Sequence, residues 1–421
     1  MIAEQYLPAV RRFCMGLLLA GVCASAQAQV WNLESSIEQA TAVAPELRAA
    51  EAEVSARAGE RTQAGAWPNP TVELRGDEKL GIEDGRGGYN LNQISVTQSL
   101  PLRRLAHQRR AAEAGLDAAR ATQQQQRLQL EKRTAQAFHA LQLAAERQRL
   151  AQERLDFAEG VRPGSDRLVR YLSPLERARL DILRETARQD VGFAEGKWSE
   201  AASQFRALLA LPPESRPETA ALTAFATPAA LTELQGRLAT HPALRASQHA
   251  RDASRAQVNV ARSQRFADPS VSVFRERDYL AGSRQDYSGV MLGVQIPFWN
   301  ANGGGVARAV AEADKADALL AAQRRDLESG LRQNHLHLGH LIEQAEHYRT
   351  RLLTPARQVL DLTRNGFASG EQNGLALVDA SNTYFEAQAR YLELLHDAWV
   401  EAAELRLAAG LALAGDKAVQ P

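Results

Sequence analysis

The sequence predicts a mainly α chain with a small β part, built as two halves that each run helix, strand, strand, helix, helix. Three features point to it: short motifs that recur at a near-constant offset, long alanine-rich stretches without helix breakers, and two pairs of alternating segments framed by prolines.

The recurrence comes first. Pro45-Glu46-Leu47-Arg48-Ala49 returns as Pro242-Ala243-Leu244-Arg245-Ala246, and Asn69-Pro70-Thr71-Val72 as Asp268-Pro269-Ser270-Val271. Gln98-Ser99-Leu100-Pro101 is echoed by Val294-Gln295-Ile296-Pro297. Leu175, Ala187, Trp198 and Leu211 correspond to Leu375, Ala387, Trp399 and Leu411, again about 200 residues later. Single matches are cheap, but a shared order and spacing are not. The expected layout is a first repeat over 29–215 and a second over 216–421. They join where Pro212, Pro213, Pro217 and Pro228 break any helix.

The helices are rich in alanine, glutamine, arginine and glutamate. The stretch 102–159 holds no proline and one glycine, Gly115, so as one helix it would extend roughly 85 Å. Such a rod has no interior of its own and needs neighbours along its length. An ordinary coiled coil is the plainer alternative, but the apolar spacing is not a clean heptad.

The strand pairs are expected at about 70–100 and 269–298. Val290, Leu292, Val294 and Ile296 alternate with Met291, Gly293 and Gln295; Val72 and Leu74 alternate with Thr71, Glu73 and Arg75; Ile94 and Val96 lie among Gln93, Ser95 and Thr97. One apolar and one polar face suits a strand between lipid and a watery lumen, although a soluble sheet gives the same alternation. Pro68, Pro70 and Pro101 bracket the first pair, and Pro269 and Pro297 the second. Aromatic residues make up only 6% of the chain, yet they gather at the strand ends: Trp67, Phe298 and Trp299 at one end, Tyr89, Tyr279 and Tyr287 at the other. That placement resembles interfacial girdles.

Composition and the first residues set the compartment. Arg11 and Arg12, the apolar run 13–22 and Ala26-Gln27-Ala28 read as a secretory signal peptide over 1–28. Both cysteines, Cys14 and Cys23, lie inside it, so cleavage would leave no thiol for disulfides, thiolate metal sites or nucleophilic catalysis. Lipidation at Cys23 is the weaker reading, because bulky Val22 precedes it. The 421 residues carry 50 basic and 50 acidic side chains, a balance that argues against a nucleic-acid partner.

Four strands cannot close a barrel, since the smallest useful barrels have about eight. An open edge facing lipid would leave backbone hydrogen bonds unmade. Insertion of such a chain therefore requires oligomerisation.

The whole pattern resembles the TolC-like outer-membrane efflux family, from about residue 33 to 413. Its most specific part is the last hairpin, Asn365-Gly366-Phe367-Ala368-Ser369-Gly370 followed by Leu375-Ala376-Leu377-Val378-Asp379-Ala380. Val294-Gln295-Ile296-Pro297-Phe298-Trp299-Asn300, leading through Gly303-Gly304-Gly305, is similar to the CzcC-like heavy-metal branch. The resemblance implies a homotrimer whose four strands per chain form one outer-membrane β-barrel, continued by a long α-helical barrel in the periplasm of a Gram-negative cell. It also implies a periplasmic adaptor and an inner-membrane RND-type pump as partners, no cofactor, and a passive duct for divalent heavy metals. A drug-efflux or type I secretion channel is the alternative within the family. A soluble periplasmic adaptor or scaffold is the alternative outside it, but leaves the amphipathic strand pairs unexplained.

Candidate functional residues follow from that resemblance. The hairpin turns near 163–173 and 366–374 are expected at the periplasmic tip, with Gly366, Gly370 and Gly374 permitting tight geometry and adaptor contact. The family closes this end with two aspartates three residues apart. Here Asp379 fills the second position but Ala376 the first, and Glu176 and Arg179 stand at the equivalent places in the first half. Asp379 is expected at the constriction, paired with Arg179 from a neighbouring helix; a solvated hairpin charge is the plainer reading. Asp166 and Arg167 are further tip charges. His335, His337, His340 and His347 invite a metal site, but one helix face rarely supplies three converging ligands, so polar tunnel or surface histidines are expected instead. No nucleophile elbow, P-loop or dinucleotide fingerprint is present, which speaks against an enzyme.

Overall fold

The computed structural model describes residues 30–77, 90–101, 103–161, 173–225, 227–280 and 283–413. Its elements run through one order twice. In the first half β1 (Val30–Trp31), α1 (Leu33–Val43) and α2 (Pro45–Ala64) precede β2 (Thr71–Asp77) and β3 (Asn90–Ser99), followed by α3 (Arg104–Gly160) and α4 (Pro174–Leu209). In the second half β4 (Glu218–Thr219), α5 (Leu231–Arg237), a 3₁₀ turn (Leu238–Thr240) and α6 (Pro242–Ser263) precede β5 (Ser270–Leu280) and β6 (Ser283–Gly293). Then come α7 (Gly303–Tyr348), a π-helical turn (Arg349–Leu353), α8 (Thr354–Ser369) and α9 (Gly374–Ala408).

Local chemistry sets the breaks. The first helix of each half is split where a proline takes the first helical position, Pro45 after extended Ala44 and Pro242 after extended His241. Asn32 and Ser173 open α1 and α4 with reciprocal capping boxes. Pro101 ends the first strand pair before α3. After Pro297 the chain turns through Asn302, held in the left-handed region at φ 54°, into α7.

The elements form three layers along the molecule, a sheet of four strands and two rows of packed helices, each open at both edges. The β layer has the strand order β2-β3-β5-β6. Next to it α2 packs on α3, α3 on α6 and α6 on α7. Farther along the same long helices, α4 packs on α3, α3 on α9, and α9 on α7 and α8. In every layer one edge belongs to the first half (β2, α2, α4) and the other to the second (β6, α7, α8).

The core is correspondingly thin and divided. Trp31, Phe138, Leu141, Trp198 and Phe205 fill one cluster at the middle of α3, and Leu331, Leu338, Leu394, Ala398 and Leu405 fill its counterpart between α7 and α9. Val161, Leu180, Leu360, Phe367 and Leu377 form a third where the hairpins turn. The edges stay uncovered. α2 buries no residue over its 20 positions. α4 exposes Leu175, Ile182 and Phe193, while Leu319 and Leu336 of α7 and Val359 and Leu362 of α8 are exposed on the opposite side. No helix among the described residues is long and apolar enough to cross a membrane.

One expected strand is shorter than the alternation suggested. Val294 and Ile296 lie outside the ladder, because β6 is an edge among the described strands and its partner there, β5, begins at Ser270 opposite Gly293. Both side chains remain exposed.

Candidate functional site

Cross-strand register sorts the sheet into two faces. Val72, Val96, Val273 and Val290 lie side by side across all four strands, flanked by Leu74 and Ile94 on one side and Leu292 on the other. These side chains are exposed, with Leu292 at 75% and Val290 at 69%, so the chain alone leaves an apolar wall bare. On the other face Thr71, Thr97, Ser272 and Met291 form one row, and Arg75, Gln93, Glu276 and Tyr287 another. The Thr97 hydroxyl donates to Ser272 Oγ at 3.0 Å on this polar side.

Between those rows Phe274 faces Gly289. The Phe274 ring lies across the glycine so closely that a Cβ at position 289 would stand 2.6 Å from its Cζ. Glycine there lets the ring lie along the sheet instead of standing out from it.

The aromatic residues divide. Trp67, Phe298 and Trp299 are exposed beside the helix-proximal strand ends, with Phe298 and Trp299 edge to face at 6.1 Å. Tyr279 pairs with Arg284 near the β5–β6 turn, and Tyr89 lies outside the described residues. Tyr287 departs from the girdle expectation: it shares the polar row of Arg75, Gln93 and Glu276, because it is odd in register where Val290 and Leu292 are even.

At the other end, Gly370 ends α8 at φ 85°, and the Gly366 carbonyl accepts from the Glu371 and Gln372 N–H groups at 2.8 and 3.0 Å. Asn373 then caps α9, its Oδ1 accepting from Ala376 N–H at 2.9 Å. Gly374 is buried between Phe367 and Glu176, whose nearest carbons would lie 3.8 Å from an added Cβ.

Glu176 has partners of its own within the chain. Its Oε2 accepts from the Ser173 N–H and hydroxyl, both at 2.9 Å. The Ser173 backbone first, then its hydroxyl, the Gly374 backbone N–H and nearby Arg179 hold this carboxyl below its ordinary value. One carboxylate thus caps the start of α4 and reaches the start of α9, joining the two hairpins. Asp379 is exposed, and its backbone carbonyl accepts from Thr383 Oγ1 at 2.9 Å. The expected pairing with Arg179 is not formed within one chain: no salt bridge joins the two, and Arg179 acts on Glu176 instead. Asp166 and Arg167 lie outside the described residues.

The four histidines of α7 disperse. A His335 ring nitrogen meets the Ala229 carbonyl at 3.1 Å, and His337 Nδ1 lies 3.0 Å from Glu401. His340 stands 4.0 Å from Glu343, and His347 is exposed. Among the described residues no group of three or more His, Cys, Asp or Glu could hold one metal ion.

A buried histidine carries more structure than any of these. His139 on α3 stacks on Trp399 of α9 at 4.9 Å and holds the Gln142 Oε1 at 2.8 Å. Gln142 Nε2 donates to the Ala220 carbonyl, and Trp399 Nε1 to the Thr223 carbonyl, pinning the inter-repeat segment onto both helices. Burial pushes the His139 imidazole down to about 4.

The comparisons agree with this geometry. The family model for outer membrane efflux proteins matches residues 36–161 and 234–411, one stretch in each half. The chain is 28% identical over 372 residues to the cobalt-zinc-cadmium resistance protein CzcC of Cupriavidus metallidurans, covering 86% of each. Its fold is similar to that of the open-state MtrE outer membrane channel of Neisseria gonorrhoeae, with a TM-score of 0.74 at 20% identity over 91% of this chain and 90% of that one. It is also similar to that of CusC, with a TM-score of 0.72 at 18% identity over 90% and 92%. The apolar strand wall, the long helices and the family match lead to one conclusion: the chain belongs to the outer membrane efflux protein family.

Proposed function

We propose that three copies close head to tail into a duct that passes divalent heavy-metal cations from an inner-membrane RND-type pump and a periplasmic adaptor to the outside. The observation that carries this reading is that all three layers are open on the same two sides. Bare backbone groups of β2 and β6 would each cost several kcal/mol in hydrocarbon. Strand β6 of one copy runs antiparallel to β2 of the next, so the ladder continues without a reversal. Below it, Leu175, Ile182 and Phe193 of one copy would meet Val359 and Leu362 of its neighbour.

The metal substrate rests on the likeness to CzcC. The duct supplies a passage and no catalysis; the pump supplies the energy. Gly366, Gly370 and Gly374 shape the tip that the adaptor grips. Asp379, which forms no ion pair among the described residues of its chain, would meet Arg179 of a neighbouring helix at the constriction; its exposure supports this reading.

A deletion strain grown on graded zinc, cadmium, cobalt and copper, beside dyes and antibiotics, tests the substrate. Selective metal sensitivity, restored by the intact gene, is the expected result; sensitivity to dyes or antibiotics alone would replace metal with drug efflux. Single-channel recording tests the gate, where Asp379→Ala should raise conductance. Unchanged conductance and voltage dependence would leave Asp379 a solvated hairpin charge.

A further inference from the structure

The apolar face of the sheet changes character abruptly toward the β5–β6 turn. After the valine row, the next row reads Leu74, Ile94, Arg275, Ser288, and beyond it Arg277 faces Asp286. Arg277 Nε donates to Asp286 Oδ1 at 3.1 Å and Arg275 Nη2 to Oδ2 at 3.4 Å. The two arginine side chains are 46% and 68% exposed. One carboxylate therefore sits between two guanidinium groups. It fixes both and leaves a positive excess, with the remaining N–H donors of each fork unpartnered among the described residues.

Depth decides what meets them. Helix α6 enters β5 and α7 leaves β6, so the β5–β6 turn is the end of the sheet away from the helices. From Pro297, before the bend at Phe298 and Trp299, up to Ser288 the chain covers at most roughly 23 Å at the usual strand rise and tilt, close to an outer-membrane apolar band. Arg275 and Arg277 then stand at its outer rim, on the lipid side. For a simple cross-strand ion pair on an exposed hairpin one arginine would suffice. Two arginines at the edge of the apolar wall, their forks held by a shared acid, match the planar bidentate recognition of a phosphate ester.

We infer that Arg275 and Arg277, spaced by Asp286, form a clasp for the phosphate of an anionic glycolipid headgroup in the outer leaflet. The inference rests on the reading that the apolar face meets lipid.

Native mass spectrometry of the purified assembly tests it. The assembly is loaded with a phosphorylated glucosamine glycolipid or with its dephosphorylated form. The wild type should retain the phosphorylated lipid by about fivefold over the other. Arg275→Gln/Arg277→Gln should lose that preference, and Asp286→Asn, which keeps both guanidiniums, should retain it. Equal retention of the two lipids by the wild type overturns the clasp, as does an unchanged preference in the double variant. Displacement of the lipid by millimolar inorganic phosphate would make it a free-anion site and overturn the lipid assignment. Extraction of the wild type by salt without detergent would refute the barrel reading itself, whereas a detergent-requiring assembly without lipid preference refutes only the clasp.

Discussion

The two halves lay down the same elements but treat their long helix differently. α3 runs 57 residues unbroken, whereas its counterpart is the 46 residues of α7, a five-residue π turn and the 16 residues of α8. The cause is local. Pro355 has no N–H to give and its ring crowds the Arg351 carbonyl, so the ladder slips by one residue. The Thr354 N–H turns to the Arg349 carbonyl five positions back, and its hydroxyl reaches the same oxygen at 2.9 Å. Position in the layer explains why this is tolerated in one half alone. α3 has neighbours on both sides and must keep its register with both. α7 and α8 form an edge, where an extra residue in one turn displaces nothing on the open side.

The equivalent tryptophans diverge in the same way. Trp198 lies beneath the Arg216 guanidinium at 4.6 Å, with no histidine in the contact. Trp399 is held by the His139 ring and, edge-on at 4.7 Å, by Phe225. Acid should therefore separate the halves. Burial depresses His139 from 6.5 to about 4, so the unfolded chain takes up the proton first. Its stabilising contribution is whole above pH 6.5, falls away between there and about 4, and changes no further below. The loss is on the order of 3 kcal/mol over that window. Melting of the helical circular-dichroism signal from pH 7.5 to 4 should show it in the wild type. His139→Phe, which keeps the stack on Trp399, should lack that portion of the slope; equal slopes would mean that His139 is not the titrating group.

A smaller effect tests the broken helix itself. Pro355→Ala restores an N–H and should slow amide exchange over 349–354, with stability changing by no more than about 1 kcal/mol because the unfolded chain also gains freedom. Unchanged exchange would show that the π turn owes nothing to Pro355 and that the halves differ for another reason.

Much of this was legible beforehand, for physical reasons. Prolines cut helices and strands at fixed places, and the alternation of Val72, Leu74, Ile94, Val96, Val290 and Leu292 named the apolar face that the register then aligned. Two features that the sequence reading passed over had their signal in plain sight. Ser173-Pro174-Leu175-Glu176 is a capping-box pattern, which gives Glu176 a structural task that the sequence reading left out. Tyr287 stands three residues from Val290, and odd spacing puts it on the opposite face. Pro355 also marked its own break. His139 had no such signal, since one histidine in a long polar helix does not reveal that a tryptophan 260 residues onward will cover it. Val294 and Ile296 failed differently: alternation describes a strand's faces, not whether a partner reaches far enough to pair with it.

The unlike edges carry a consequence for inheritance. In a ring closed by a first-half edge against a second-half edge, each copy is held twice, by different surfaces. A copy that has lost one edge still enters through the other and occupies a place it cannot complete. On the proposed ring, damage to one edge would thus spoil the intact copies around it, and a mutation of this kind would be dominant when both genes are expressed in one cell.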